Sequence, residues 1–184
     1  MSQLDPKVMT VRGPVAPAEL GLTSLHEHIL CDLSACYRDR IRKILPAEME
    51  MPDGPFGLEE RSTLRHAMLL SSSNLRLDDE RVMTAEVADF AAAGGGAIVE
   101  TGAPGIRTGD DVMAFARMSQ ATGVHIVACT GLYAEDSWPE RFRGLSEAQY
   151  ADYLGGEIAS GIGGSGILPG QIKVAYEGRS ADAD

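Results

Sequence analysis

The sequence predicts an α/β protein with a parallel sheet, either doubly wound or closed into a (β/α) barrel. Three features lead there. Short apolar runs alternate with helix-patterned segments in the order β-α-β-α-β-α-β, and such alternation builds parallel sheets with right-handed crossovers. Four of the runs are near-continuously apolar, as strands covered on both faces are. Each ends in chemically loaded residues, HEH, ETG, CTGLY and KVAYEG, and in both architectures the carboxyl ends of the strands form the active face.

Taken in order, "VMTVRGPV" (8–15) reads as an extended segment ending in a Gly-Pro turn. Residues 1–20 are expected to be an extended N-terminal segment. "LTSLHEHI" (22–29) is a strand candidate. The stretch 35–77 is expected to be a long loop and insertion, charged and Met-rich around "LPAEMEMPDGPFG"; loops of that length are more often functional than accidental. "DDERVMTAEVADFAAAG" (78–94) carries Val82, Ala85, Val87, Phe90 and Ala93 near helical spacing, with Gly94 as its stop. "GAIVETG" (96–102) is β-rich. "TGDDVMAFARMSQATG" (108–123) is a helix, with Thr108 or Asp110 as cap and Gly123 past its end. "VHIVACTG" (124–131) is a strand, "LSEAQYADYLGGEIASGI" (145–162) a helix capped by Ser146, and "GQIKVAYEG" (170–178) the last strand. Residues 178–184 are small and acidic, as expected of a mobile loop.

The 184 residues, 44% hydrophobic, suffice for one domain with a substantial core. A formal charge of −11 repels phosphate backbones and anionic membranes, so neither nucleic acid nor a membrane is expected as a partner. Three cysteines, Cys31, Cys36 and Cys129, do not form a disulfide framework. No secretory leader and no membrane-length apolar run is evident, so the expected compartment is the cytoplasm.

Two of the four histidines, His26 and His28, stand one residue apart inside "LTSLHEHILCDL". On a strand, side chains at i and i+2 point the same way, roughly 6.6 Å apart; on a helix they diverge. Two imidazoles facing one polar space can hold a divalent ion, with Glu27 pointing away. The alternative is a pair of hydrogen-bonded histidines with no ligand. Lys173 lies within an apolar strand, where desolvation favours the neutral amine. A neutral amine can take up carbon dioxide as a carbamate, a bidentate carboxylate. The plainer alternative is a lysine that reaches solvent or pairs with Glu100 or Glu177. "GIGGSG" (161–166) matches a dinucleotide fingerprint literally, but it follows a helix and precedes a strand, so it reads as a helix terminus and loop. A zinc site from His28, Cys31 and Cys36 lacks a second ligand pair. His125 sits early in its strand and reads as structural, and His66 as exposed.

The ordered series "VRGPV…LGLTSLHEHIL", "GAIVETG", "ATGVHIVACTGLY" and "GILPGQIKVA" resembles the phosphotriesterase-related family of the amidohydrolase superfamily over nearly the whole chain. The resemblance implies a (β/α)8 TIM barrel of the amidohydrolase type, with a binuclear metal centre at the carboxyl ends of the strands. It implies His26 and His28 as ligands of the more buried metal, Lys173 as a carboxylated lysine bridging two divalent ions, zinc first among them, and Tyr133 as a lining residue of the substrate pocket. An eight-stranded barrel typically needs about 250 residues, so this chain is expected to be the N-terminal half, with about four βα units. Two further histidine ligands and the general-base aspartate are expected beyond it, so no catalytic base is assigned here. The implied activity is a metal-dependent hydrolase, metal-activated hydroxide attacking a phosphotriester, lactone or carboxylic ester; N-acyl compounds also fit. A homodimer of the intact protein is expected. A ligand-binding relative without turnover, and an unrelated doubly wound module with a coincidental His-x-His, are the alternatives.

Overall fold

The computed structural model describes residues 5–34, 57–58, 61, 64–65, 73–107 and 111–175. A parallel sheet organises them. Strand β3 (Leu22–Glu27) pairs with β6 (Gly95–Glu100), and β6 with β7 (His125–Val127), both in parallel. After Ala128 the same run continues as β8 (Cys129–Leu132), which pairs in parallel with β9 (Gln171–Val174). The two ladders are joined where Gly170 N donates to Ala128 O at 2.9 Å. "VHIVACTG" is thus one strand in sequence but two in hydrogen bonding, each half serving a different neighbour.

The amino-terminal segment is an antiparallel hairpin of β1 (Val8–Thr10) and β2 (Gly13–Val15). Its turn falls at Val11–Arg12, not at Gly-Pro: Thr10 Oγ1 donates to Gly13 O at 2.8 Å and accepts from Arg12 N. Gly13 and Pro14 belong to β2. Val11 N donates to Ile126 O at 2.8 Å, which fastens the hairpin beneath the sheet. Two short strands, β4 (Cys31–Asp32) and β5 (Arg76–Leu77), pair antiparallel above it. The end of the stretch expected to be a loop is therefore regular structure, a 3-10 turn and β5 paired to β4, with Arg76 beside Asp32 at 3.2 Å. Most of 35–77, and all of 178–184, lie outside the described residues, as do Thr108 and Asp110.

Among the described residues three helices are given in full: α1 (Glu80–Ala92), α2 (Asp111–Thr122) and α3 (Glu147–Ser160). Asp79 caps α1 by accepting from Arg81 N at 2.9 Å and Val82 N at 3.0 Å, and the chain leaves through Gly94 at φ +96. Ser146 and Gln149 form a reciprocal capping box on α3. Gly161 ends α3 and "GIGGSG" continues as a 3-10 turn and loop, as its position between helix and strand requires. Glu80 and Arg117 tie α1 to α2 through a bidentate pair at 2.7 Å. The core gathers Val87, Ile98, Phe115, Met118, Val124 and Ile126 between helices and sheet. Burial of each such large side chain contributes roughly 1.5–3 kcal/mol.

Burial on both faces, expected of all four strands, holds for β6, β7 and β8 only. Leu22 and Leu25 on β3, and Ile172 and Val174 on β9, are exposed. These are the outermost strands of the parallel system, with no further strand beside them among the described residues. The β3–β6 register also slips: Ser24 faces Ile98, but Glu27 faces Glu100. Three residues of β3 are matched to two of β6, a bulge immediately before and around His26.

Candidate functional site

The sheet brings the carboxyl ends of β3, β6, β8 and β9 to one side. His26 lies on β3 and His28 one residue past its end. Their rings meet edge to face, with centroids 5.5 Å apart, in keeping with two side chains that leave an extended chain in the same direction. Tyr133, one residue past β8, stands edge-on to His28 with centroids 6.3 Å apart. Glu27 instead accepts from Ser24 Oγ at 2.5 Å, and its carbonyl takes Thr101 N at 2.8 Å.

Lys173 is half-buried on β9, opposite Gly131 of β8. Gly131 has φ +127, and a Cβ there would overlap the Lys173 backbone. Only glycine lets β9 come this close, so Gly131 seats the strand that carries the lysine. The Lys173 charge reaches His28. Burial first, then the neighbouring His26 and Lys173, hold the His28 imidazole below the usual histidine range against the opposing pull of Glu27. The neutral ring is the form that binds a metal.

His28 Nδ1 is buried without a hydrogen-bond partner. Buried polar atoms left unpaired are rare and costly, and an imidazole nitrogen in this position can give its lone pair to a metal ion. Two imidazoles and a half-buried amine able to become a carbamate fit a divalent ion as a donor set. Among the described residues no group of three or more His, Cys, Asp or Glu side chains could hold one. Cys31 packs with Ile106 and Leu33 in a small apolar cluster, and burial pushes its thiol up to about 11. Cys36 and His66 lie outside the described residues. His125 opens β7 at the opposite end of the sheet, beside Arg12 at 3.4 Å, as a structural histidine. No ion pair joins Lys173 to Glu100, and Glu177 is outside the described residues.

Glu100, at the end of β6, is fully buried. One carboxylate oxygen accepts from Gly102 N at 2.9 Å and the other has no partner. Burial raises its carboxyl to about 7, opposed by the Gly102 and Ile29 backbone amides and the Arg107 charge. Sequence reading weighed Glu100 only as a counter-ion for Lys173; the Ile29 amide becomes its neighbour only when β3 and β6 pair. A separate cavity of about 470 Å³ lies between α2, α3 and the loops at Pro104 and Pro139, lined by Arg107, Arg141, Tyr153 and Glu157, with none of His26, His28, Glu100, Tyr133 or Lys173. Its buried carboxylate is fully engaged: Glu157 accepts from Tyr153 OH at 2.8 Å, Gly163 N at 3.0 Å and Thr130 Oγ1 at 2.5 Å.

The model of the phosphotriesterase family matches residues 6–180. The chain belongs to the phosphotriesterase family. It is 34% identical to N-acetyltaurine hydrolase of Tetraodon nigroviridis over 94% of this chain and 48% of that protein, and 32% identical to the human N-acetyltaurine hydrolase over the same shares. The chain thus spans about half the length of the curated relatives it matches. Among solved structures, a resiniferatoxin-binding protein from Rhodobacter sphaeroides superposes with TM-score 0.81 at 34% identity, over 91% of this chain and 45% of that one. An organophosphorus hydrolase mutant from Deinococcus radiodurans superposes with TM-score 0.60 at 26% identity, over 94% and 46%. The α/β fold with its parallel sheet is that of these phosphotriesterase-family barrels. No helix among the described residues is long and apolar enough to cross a membrane.

Proposed function

We propose that this chain forms the N-terminal half, about four βα units, of a binuclear metal-dependent hydrolase barrel. The observation that carries the reading is the buried, unpartnered His28 Nδ1 beside His26 and within electrostatic reach of Lys173. In this reading His26 and His28 hold one ion, Lys173 bridges two as a carbamate, and Tyr133 lines the pocket. A divalent pair, when bound, acidifies water and polarises the bond to be cleaved. The chain's own residues bind and orient. His28 stays neutral because it is buried and next to positive charge, Gly131 keeps β9 close, and Tyr133 screens the His28 ring from solvent. Further ligands and the proton-accepting group would come from the remaining half of the barrel.

The relatives above 30% identity that bear an enzyme's name hydrolyse an N-acyl amide by that name, which favours an N-acyl substrate; lactones, carboxylic esters and phosphotriesters are the wider class. A ligand-binding role without turnover is the second reading, favoured by the resiniferatoxin-binding relative. The intact protein, reconstituted with zinc, cobalt or manganese, should carry about two metal equivalents and turn over at least one compound of an N-acyl amino acid, lactone and phosphotriester panel. Lys173→Ala should lose metal and turnover together. A metal-loaded protein inert on the whole panel would favour the ligand-binding reading. Metal-free protein after reconstitution would sink the hydrolase.

A further inference from the structure

We propose that Glu100 is a positioning residue for the candidate metal centre, fastening at one point the two strands that carry its donors. Its side chain reaches toward the histidines. The carboxylate accepts from the backbone amide of Gly102 at 2.9 Å, and the backbone amide of Ile29, the residue that follows His28, favours its charged form. Its main chain reaches the other way: the Glu100 carbonyl accepts from Gln171 Nε2 at 3.2 Å, two residues before Lys173 on β9. The next residue tightens the first link, since Thr101 N and Oγ1 both donate to the carbonyl of Glu27, between the two histidines. Glu100 and Thr101 together therefore stand a single hydrogen bond from each donor-bearing segment.

The local sequence is fitted to this role. A Cβ on Gly102 would come within 2.7 Å of the Glu100 carboxylate, so the glycine makes room for it. Glu100 is 0% exposed, and a buried carboxylate costs several kcal/mol in desolvation unless its lone pairs are used. The Gly102 amide uses one oxygen; Oε2 is left over. An apolar residue at the end of β6 would avoid that cost but could neither hold the Gly102 amide nor place an acceptor beside the Ile29 amide. Buried groups that orient ligands in this way, without touching the ion, typically change metal affinity about 10–100-fold when removed.

The inference rests on the metal-centre reading, and zinc affinity tests both. Zinc binding to the intact protein is measured by competition with a chromophoric chelator, alongside thermal unfolding and the visible spectrum of the cobalt-loaded protein. Glu100→Ala should weaken zinc by about 10–100-fold and alter the cobalt spectrum. Glu100→Gln, which keeps an acceptor oxygen of the same shape, should restore most of the affinity. Gly102→Ala should act like Glu100→Ala by displacing the carboxylate, and it provides the test if Glu100→Ala does not fold. Glu157→Gln, a change at a buried carboxylate in the helical layer, should lower the melting temperature and leave zinc affinity unchanged. Wild-type zinc affinity in folded Glu100→Ala or Gly102→Ala would overturn the role of Glu100 while the metal centre stands, and so would an equal loss in Glu157→Gln. A wild-type protein that binds zinc no better than His26→Ala would overturn the metal centre, and this inference with it.

Discussion

A carboxylic acid that folding removes wholly from water leaves a mark on the pH dependence of stability. Glu100 titrates near 4.5 when exposed and is held at about 7 in the fold, chiefly by burial. Between those values the native state keeps a proton that the unfolded chain has lost. The contribution of Glu100 to stability is therefore greatest below about 4.5 and falls as pH rises toward about 7. Above that the charged form costs at most on the order of 3 kcal/mol. In metal-stripped protein, the stability of Glu100→Gln relative to wild type should rise from pH 5 to pH 7.5, read from denaturant midpoints. A flat difference would mean that the carboxylate is better solvated than its burial indicates. The histidine pair was legible at this scale because i, i+2 spacing has one geometric meaning on a strand. Glu100 was not, because a glutamate closing an apolar strand says nothing about which amides will meet it.

At the scale of elements, helices with local stop and start signals were readable from the sequence alone: Gly94, Gly123, Ser146 and Gly161 all act where the sequence placed a boundary, whereas the Asp79 cap of α1 emerged only from the structure. What the sequence did not show depends on neighbours. The break at Ala128 exists because β6 and β9 pair with different halves of one run, and the hairpin turn falls at Val11–Arg12 because Thr10 closes it. Gly131→Ala should destabilise the fold by about 2 kcal/mol or more: a left-handed φ costs a non-glycine residue about 1–2 kcal/mol, and contact with the Lys173 backbone adds to it. Chemical denaturation would measure the loss, and metal affinity should fall too, since β9 must move. Phe115→Ala, at a wholly buried site on α2, should cost about 3–5 kcal/mol and leave metal affinity unchanged once the protein is folded.

For the whole molecule, the outer strands are the informative feature. β3 and β9 turn Leu22, Leu25, Ile172 and Val174 to solvent, and such edges invite pairing with other chains. Residues 1–184 produced alone should self-associate in size-exclusion chromatography and bind a hydrophobic dye. Leu25→Lys with Val174→Lys should reduce both, as edge lysines do elsewhere. A monodisperse, dye-silent monomer would contradict this. The parallel sheet and its polar end were legible because the strand–helix alternation is long and regular. The open flanks were not legible from local pattern, since an apolar run looks the same whether or not another strand covers it. The bulge in β3 carries one further consequence. Because three residues there answer two of β6, chain length between Ser24 and Glu27 decides which side of the sheet every later side chain faces. Removing Leu25 would match two residues of β3 to two of β6 across that interval and reverse the facing of both imidazoles relative to Ser24, even with both histidines intact. Selection on this stretch should therefore tolerate exchanges of side chain at Leu25 far better than any change in the number of residues.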